Sequence, residues 1–524
     1  MCTAVAALSQ LRTLKLIQDW DLHASFPVWS LLLALSRLTQ LAELELQWHR
    51  DDSDTVLGPH LCLPTTLTRL TVVVSVSDEA AGKLVSGVTC LSRLTCFSYS
   101  GGEDEDVLAP ALGHLTALTA LQLGYNDVYS IAAEALAPAL GRLSRLADLR
   151  LAETELDEDG AAALASPIAL LTALTALDFG YNQVGADGAE ALAPALRHLS
   201  QLAFLLLGSN AVGADGAAAL APALGHLTAL TQLDLSVNAL CADGAEALAP
   251  ALSRLSRLAH LNLDYNGVGA AGAAALAAHI GALAALTALQ LGWNGIGADG
   301  AALLAPALGR FVWLKHLDLQ DNGLGAAGAA ALAAPIALLT ALTGLQLGCN
   351  GIGADGAASL APALSRLSRL VELSLSSNKL DAAGAAALAP CMALLTALTR
   401  LNLDDNDVGA GGAASLAPAL SRLSRLASLS LNRSGVGAAG AAALAPALGR
   451  CTALTHLDLN KSVGDDGIQQ LAPALARLTS LQRLSLGLIG AHDSAVDALR
   501  ARLPASVWEA TDLHRNRSWA ERHR

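Results

Sequence analysis

The chain repeats itself every 28 residues between residues 118 and 459, and this period constrains the fold more than any other feature. One leucine recurs in every period without exception, at Leu121, Leu149, Leu177, Leu205, Leu233, Leu261, Leu289, Leu317, Leu345, Leu373, Leu401, Leu429 and Leu457. A fixed period of this length is typical of one supersecondary unit that is stacked many times and buries its apolar face against its neighbours. The sequence therefore predicts one elongated repeat array rather than several separate globular domains.

Residues 174–201 represent one repeat. Leu177 and Phe179 alternate with smaller or polar residues, which is the period-two pattern of a short strand. Asp187 stands where we expect a helix N-cap, and leucines then recur at helical spacing from Leu192 onward. Each repeat is predicted as a strand, a turn, a helix and a return segment.

Two other positions of the repeat are nearly constant: one holds a polar residue and the other a glycine. An asparagine follows the first strand leucine by five positions in ten repeats, and Thr154 and Ser434 replace it in two others. We interpret these amides as a ladder that bonds backbone groups in the turns of its own and the next repeat. A glycine recurs directly after the expected cap, as at Gly188, and we expect it there because adjacent helices begin too close together for a Cβ.

The combined pattern LxxLxLxxN, an aliphatic residue, a glycine and an LAxAL helix resembles the ribonuclease-inhibitor-like class of leucine-rich repeats. Two repeat types alternate, which is also similar to that family. The resemblance implies an α/β solenoid shaped as a curved horseshoe, with a parallel sheet on the concave face and helices on the convex face. It covers about Leu11 to Leu486 and 18 strands. Weaker strands are predicted near Leu14, Leu44, Leu70, Phe97 and Leu484.

Four segments follow from this interpretation. Residues 1–117 are predicted as irregular N-terminal repeats and residues 118–486 as regular 28-residue repeats. Residues 487–504 are expected to form a C-terminal capping helix. Residues 505–524 form a basic tail that is either disordered or a short docking segment.

The amino-acid composition limits the kinds of partner the protein can bind and the cellular compartments in which it can act. The formal net charge of −14 argues against nucleic-acid binding and favours a partner with a basic surface. The eight cysteines show no metal-binding or paired capping pattern, which indicates a reduced cytoplasmic or nuclear environment. No signal peptide is evident at the start. The uncharged stretch 265–298 carries polar residues at the repeat spacing, so we predict a buried core and no membrane segment.

Candidate binding residues lie at the ends of the strands and on their exposed face. Aromatic rings share the position before the asparagine, although only 3% of the chain is aromatic, and tyrosine and tryptophan are enriched in binding hot spots. The alternative is that these rings cover neighbouring glycines. Carboxylates continue the column and flank it, forming an acidic stripe. The predicted partner-binding residues on the concave face are Tyr125, Tyr181, Tyr265, Trp293, Asp264, Asp318, Asp321, Asp404 and Asp405.

The sequence offers no pattern for catalysis. It contains no GxSxG, P-loop or HExxH motif, and His260, His316 and His456 lie at least two repeats apart, too far to share one metal ion. We therefore expect no catalytic residues, no cofactor and no metal site. The sequence predicts a protein that is not an enzyme.

The expected function is a protein-protein interaction scaffold, present as a monomer in the cytoplasm, that binds another protein on its concave face. One alternative is a GTPase-activating protein resembling the Ran-specific activators, but the acidic C-terminal tail typical of that family is missing and none of its functional residues can be matched here. A sensor fragment resembling NOD-like receptors lacks a preceding nucleotide-binding domain. A cytoskeletal or axonemal component remains a further alternative.

Overall fold

The computed structural model describes residues 10–17, 35, 38–48, 63–76, 87–102, 108–124, 130–486 and 501. The chain divides into two compact units, Met1–His260 (unit 1) and Leu261–Arg524 (unit 2). The described residues contain 18 strands and 14 helices, which confirms the predicted α/β repeat architecture and the predicted number of strands. The predicted capping helix at 487–504, the basic tail and Tyr125 lie outside the described residues.

In unit 1, each strand pairs in parallel with the next one along the chain. The strands are β1 (Thr13–Ile17), β2 (Glu43–Trp48), β3 (Arg69–Val76), β4 (Cys96–Gly102), β5 (Ala120–Gln122), β6 (Asp148–Arg150), β7 (Ala176–Asp178), β8 (Phe204–Leu206) and β9 (Gln232–Asp234). The helices are α1 (Ala109–Leu112), α2 (Ser130–Leu140), α3 (Glu158–Leu170), α4 (Gly185–Leu196), α5 (Gly213–Leu224) and α6 (Cys241–Leu252). The weaker N-terminal strands were therefore correctly predicted.

Unit 2 repeats the same order. Its strands from β11 onward pair in parallel with their successors, and β10 (His260–Asn262) begins at the last residue of unit 1. The strands are β11 (Ala288–Gln290), β12 (His316–Asp318), β13 (Gly344–Gln346), β14 (Glu372–Ser374), β15 (Arg400–Asn402), β16 (Ser428–Ser430), β17 (His456–Asp458) and β18 (Arg483–Ser485). The helices are α7 (Gly269–Ile280), α8 (Gly297–Leu308), α9 (Gly325–Ile336), α10 (Gly353–Leu364), α11 (Ala382–Met392), α12 (Gly409–Leu420), α13 (Gly437–Leu448) and α14 (Gly464–Leu475).

The repeated leucines form the core of each unit. Leu289 of β11 and Leu317 of β12 are register partners, and both are at most 1% exposed. Helix leucines such as Leu304 are buried to the same degree. Because the exposed strand residues alternate with these leucines, every repeat buries one face of its strand against its helix and leaves the other face open. We call this open side of the strands the strand face.

The asparagine column forms the predicted ladder. The Asn294 side chain donates to the carbonyls of Leu263 at 2.8 Å and Gly292 at 2.9 Å. Its Oδ1 accepts from the amides of Asn266 at 3.1 Å and Val268 at 3.2 Å. These partners lie in its own and the preceding repeat, not in the next repeat as the sequence predicted. The ladder therefore ties each turn backward to the one before it.

The predicted role of Asp187 as a helix N-cap is wrong. Helix α4 begins at Gly185, so Asp187 lies inside the first helical turn, and no side chain caps this helix. A capping aspartate occurs in two other repeats at the position equivalent to Gly185: Asp157 accepts from the amide of Gly160, and Asp381 from that of Gly384, both at 2.8 Å. The helix begins earlier than predicted because Gly185, with φ of +63°, already turns the chain into it.

The glycine column was correctly explained by close packing. A Cβ on Gly188 would lie 3.1 Å from the Cβ of Ala161 and 3.1 Å from the Cα of Glu158, both in helix α3. Real side chains avoid contacts of this length unless the neighbour moves. The absence of a side chain at this position therefore sets how closely α3 and α4 approach.

Candidate functional site

The residue before the ladder asparagine has a left-handed backbone in every repeat from 153 to 461. Its φ is 57° at Tyr181, 58° at Tyr265 and 58° at Trp293. Such a conformation is uncommon for residues other than glycine. The aromatic residues with this left-handed backbone are exposed to solvent: Tyr181 is 67% exposed, Tyr265 48% and Trp293 38%.

Two of the predicted rings meet in unit 2. Tyr265 and Trp293 stack with ring centroids 4.8 Å apart and an angle of 10° between their planes. They occupy the same position in consecutive repeats, so the spacing of the stack matches the spacing of neighbouring strands, about 4.8 Å. An offset or stacked aromatic pair is stabilised beyond simple area burial. The pair forms one flat apolar surface at the ends of β10 and β11.

Three of the predicted carboxylates, those of Asp264, Asp318 and Asp321, act on Tyr265 of this aromatic pair. The pKa of Tyr265 is raised by partial loss of contact with water and then by the negative charges of Asp264, Asp321 and Asp318. A Cβ on Gly292, the residue before Trp293, would lie 3.3 Å from Oδ1 of Asp264 and 3.2 Å from Oδ1 of Asp318, so these two carboxylates lie beside the stacked pair. The structure thus brings five of the nine predicted residues together in unit 2.

Asp264 and Asp404 also have a structural role that the sequence did not predict. The Asp264 carboxylate accepts from the amide of Gly292 at 2.6 Å, one repeat further along the chain. Asp404 accepts in the same way from the amide of Asn432 at 2.7 Å and from the hydroxyl of Ser430. Burial raises the pKa of Asp404 and these hydrogen bonds lower it in part. Both carboxylates therefore help to hold consecutive strand ends together.

Asp318 of this neighbourhood also has a backbone partner, whereas Asp405 and Tyr181 lie apart from it in sequence. Asp318 accepts from the amide of Gln320 at 2.8 Å, and burial raises the pKa of its carboxyl. Asp405 forms an exposed ion pair of 3.5 Å with Arg433. Tyr181 stands in unit 1, apart from the Tyr265 neighbourhood in sequence by three repeats.

The sequence did not single out an exposed apolar group in unit 1. Phe204 of β8 is 45% exposed and Val237 at the end of β9 is 46% exposed. Phe204 and Leu206 were missed because the search for apolar binding residues compared only the position before the ladder asparagine, where neither residue stands. The available signal was the run Phe204–Leu207, in which the alternation of apolar and polar residues is lost.

The described residues offer few groups suited to catalysis or metal binding. Within them, no three His, Cys, Asp or Glu side chains converge in a way that could hold a metal ion. Burial raises the pKa of the Cys391 and Cys451 thiols to about 11, so these two are poor nucleophiles. Among the described helices, none combines the length and the apolar character needed to cross a membrane.

Comparison with known proteins identifies the repeat. Seven segments of the chain match the family described as "Leucine Rich repeat", namely residues 171–193, 258–277, 284–305, 312–333, 339–361, 368–389 and 395–417. No curated protein matches the chain in sequence. Among solved structures, an internalin from Listeria monocytogenes is similar at 23% identity and a TM-score of 0.49, over 71% of this chain and 88% of the internalin chain.

Proposed function

This chain is a leucine-rich repeat protein, and from that premise we propose that it is a non-enzymatic scaffold that binds a partner protein on its strand face. Leucine-rich repeat proteins commonly act as protein-interaction scaffolds, and the strand face corresponds to the concave face expected from the resemblance. We further propose that the chain belongs to the ribonuclease-inhibitor-like class, which the helix in each 28-residue repeat supports.

The stacked pair Tyr265–Trp293 is the observation that carries this proposal. Both rings remain partly exposed although large apolar groups are costly to leave in water. Two χ angles fix each ring, so a partner would lose little side-chain entropy by docking on them. Aromatic residues of this kind dominate the binding energy of many interfaces. We propose that the predicted residues Asp264, Asp318, Asp321, Asp404 and Asp405 of unit 2 also contact the partner, and that Tyr181 is a separate contact residue of unit 1.

The charges around the pair favour a basic partner. The negative charges of Asp264, Asp321 and Asp318 contribute to the raised pKa of Tyr265, and the whole chain carries a net charge of −14. Complementary charge speeds association and discriminates against acidic partners. We propose a monomer that acts in the cytoplasm, without a cofactor and without binding nucleic acid. No side chain in the described part of the chain supports the GTPase-activating or the cytoskeletal alternative.

The test is affinity capture from a cell extract followed by mass spectrometry. We compare the wild type with the double variant Tyr265→Ala and Trp293→Ala, and with Trp313→Ala as the matched control. Trp313 is 67% exposed, but it precedes β12 rather than following a strand, so it lies outside the proposed surface. We expect the double variant to lose a protein that the wild type and the control both retain. Equal recovery by all three would contradict the proposal.

A further inference from the structure

We infer that unit 1 carries a second docking site, centred on Phe204 and Leu206 of β8, for a partner segment that presents one large apolar side chain beside a lysine or arginine. The inference rests on the proposed scaffold function and names the partner's chemistry at a place distant in sequence from the Tyr265–Trp293 pair. We call this group of residues the β8 site.

The β8 site is apolar where the other short strands are polar or small. Leu205 is buried, so Phe204 and Leu206 on either side of it lie on the strand face. Among strands β5–β18 of the described residues, β8 alone has a large apolar residue at both outward positions. Phe204 is 45% exposed, which leaves an aromatic ring available for contact. Exposed apolar surface of this kind marks interaction sites.

The register of the sheet defines what surrounds these two side chains. Phe204 pairs with Ala176 on β7 and with Gln232 on β9. Ala176 is small, so space remains beside the phenylalanine ring for an incoming side chain. Leu206 pairs with Asp178 on one side and Asp234 on the other. An aspartate therefore stands beside the leucine on each neighbouring strand, and neighbouring strands lie about 4.8 Å apart.

Two further exposed apolar residues follow the neighbouring strands β7 and β9. Tyr181 follows β7 and Val237 follows β9, and they are 67% and 46% exposed. Ser209, which follows β8, occupies the equivalent position between them. All three have left-handed backbones, with φ of 57°, 53° and 57° for Tyr181, Val237 and Ser209. A large residue on each side of a small one makes room for a single side chain of a partner.

The charges specify the second half of the partner's chemistry. Asp178 and Asp234 each accept a backbone amide, those of Gly180 and Ser236, both at 2.9 Å. Arg150, the register partner of Asp178 on β6, is held by Asp148 in a bidentate contact of 3.0 and 3.1 Å, and its charge offsets that of Asp178 only in part. Two carboxylates beside an apolar centre therefore favour a partner in which a basic residue accompanies the apolar one.

The experiment selects peptides from a random 12-residue phage-displayed library on the full-length protein. We expect enriched peptides to carry a large apolar residue within two positions of Lys or Arg. The variant Phe204→Ser should recover these peptides about tenfold less, because it removes most of the apolar contact. Phe204 is partly exposed, and circular dichroism should show that the variant keeps its fold.

A second variant separates the contribution of the two carboxylates from that of the apolar side chains. The double change Asp178→Asn and Asp234→Asn keeps the oxygens that accept the backbone amides, so we expect the apolar preference to remain and the basic preference to disappear. The variant Tyr265→Ala with Trp293→Ala should select the same peptides as the wild type. This control distinguishes failure of the β8 site from failure of the proposed partner binding in unit 2.

Three results would overturn the inference. One is the selection of peptides without the apolar and basic signature, or of none. Another is equal recovery by the wild type and Phe204→Ser. The third is a concentration-dependent dimer in analytical ultracentrifugation that Phe204→Ser abolishes, because the occupant of the β8 site would then be a second copy of this chain.

Discussion

A single amide in each repeat satisfies several buried backbone groups, as Asn294 shows. The side chain is 1% exposed and pairs with two carbonyls and two amides. Asn294→Ala would leave the amides of Asn266 and Val268 without this acceptor in the core, whereas the carbonyls of Leu263 and Gly292 keep the Asn266 side chain and the Tyr265 amide as partners. We expect the free energy of unfolding to fall by about 3 kcal/mol, since each unsatisfied buried group costs on the order of 1–3 kcal/mol.

Urea unfolding followed by circular dichroism measures this loss. The matched control is Ser434→Ala, because Ser434 holds the same position but donates to only two carbonyls, at 3.0 and 3.3 Å. We expect that change to cost about 1 kcal/mol. If the two variants were equally stable, the ladder would not have the energetic role assigned to it.

Asp318 makes stability depend on pH in an unusual direction for a carboxylate. Burial raises the pKa of its carboxyl in the folded protein, so the folded state binds the proton more tightly than the unfolded state does. The resulting destabilisation is fully present above the raised pKa. It disappears as the pH falls through that value toward the ordinary one, about 3.9.

Asp318→Asn tests this directly, because the amide oxygen can still accept from the Gln320 amide while the buried charge is gone. We expect the variant to melt about 2 °C higher than the wild type at pH 7, and the difference to vanish near pH 3. Differential scanning calorimetry at both pH values gives the answer. A variant that melts lower at pH 7 would show that the carboxylate stabilises the fold.

At the scale of the elements, the packing distance between neighbouring helices depends on which positions can hold a methyl group. Helix α12 contains two adjacent glycines that provide a matched pair. A Cβ on Gly412 would lie 2.8 Å from the Cγ1 of Val408 and 2.9 Å from the Cβ of Ala385, whereas a Cβ on Gly411 would meet only the Cβ of Ala382, at 3.5 Å.

We expect Gly412→Ala to destabilise the protein by about 2 kcal/mol, because α11 and α12 must move apart. Gly411→Ala should instead stabilise it by up to about 1 kcal/mol, because alanine favours a helix over glycine. Chemical denaturation of both variants measures the two effects. Stabilisation by both changes would mean that helix propensity and not packing governs this column. Equal destabilisation by both would contradict the packing difference between the two positions.

The sequence was sufficient to predict the repeated strands and helices, but not the exact start of each helix or the contacts between side chains. Leucine spacing predicted the strands and helices because each repeat buries the same face. It misplaced the helix N-cap at Asp187, because a left-handed backbone at Gly185 starts the helix three residues earlier than expected. The shared column of Tyr265 and Trp293 was visible, but their stacking depends on side-chain orientation, which spacing alone does not determine.

For the whole molecule, a repeat array predicts tolerance to the loss of one complete period. Removing residues 353–380 would join Ile352 to Asp381 at equivalent positions, and Asn406 could then bond the turn that Asn378 serves now. Each repeat contacts mainly its neighbours, so we expect the shortened protein to fold with the same helical signal per residue.

Circular dichroism and thermal unfolding would show whether the fold survives. As a control, removing only residues 353–366 deletes helix α10 without restoring the register, and we expect that protein to aggregate or to unfold at a much lower temperature. Identical behaviour of the two deletions would contradict a repeat-by-repeat organisation.

The left-handed residue in front of each ladder asparagine has an evolutionary consequence. The fold is held by its neighbour, so this residue can be aromatic, aliphatic, acidic, basic or a thiol, as Trp293, Val237, Asp321, Lys461 and Cys349 show. Selection can therefore exchange one recognition chemistry for another by single codon changes while the architecture persists. Duplication of a repeat would add a further position of the same kind, which gives such a chain an easy route to new partners.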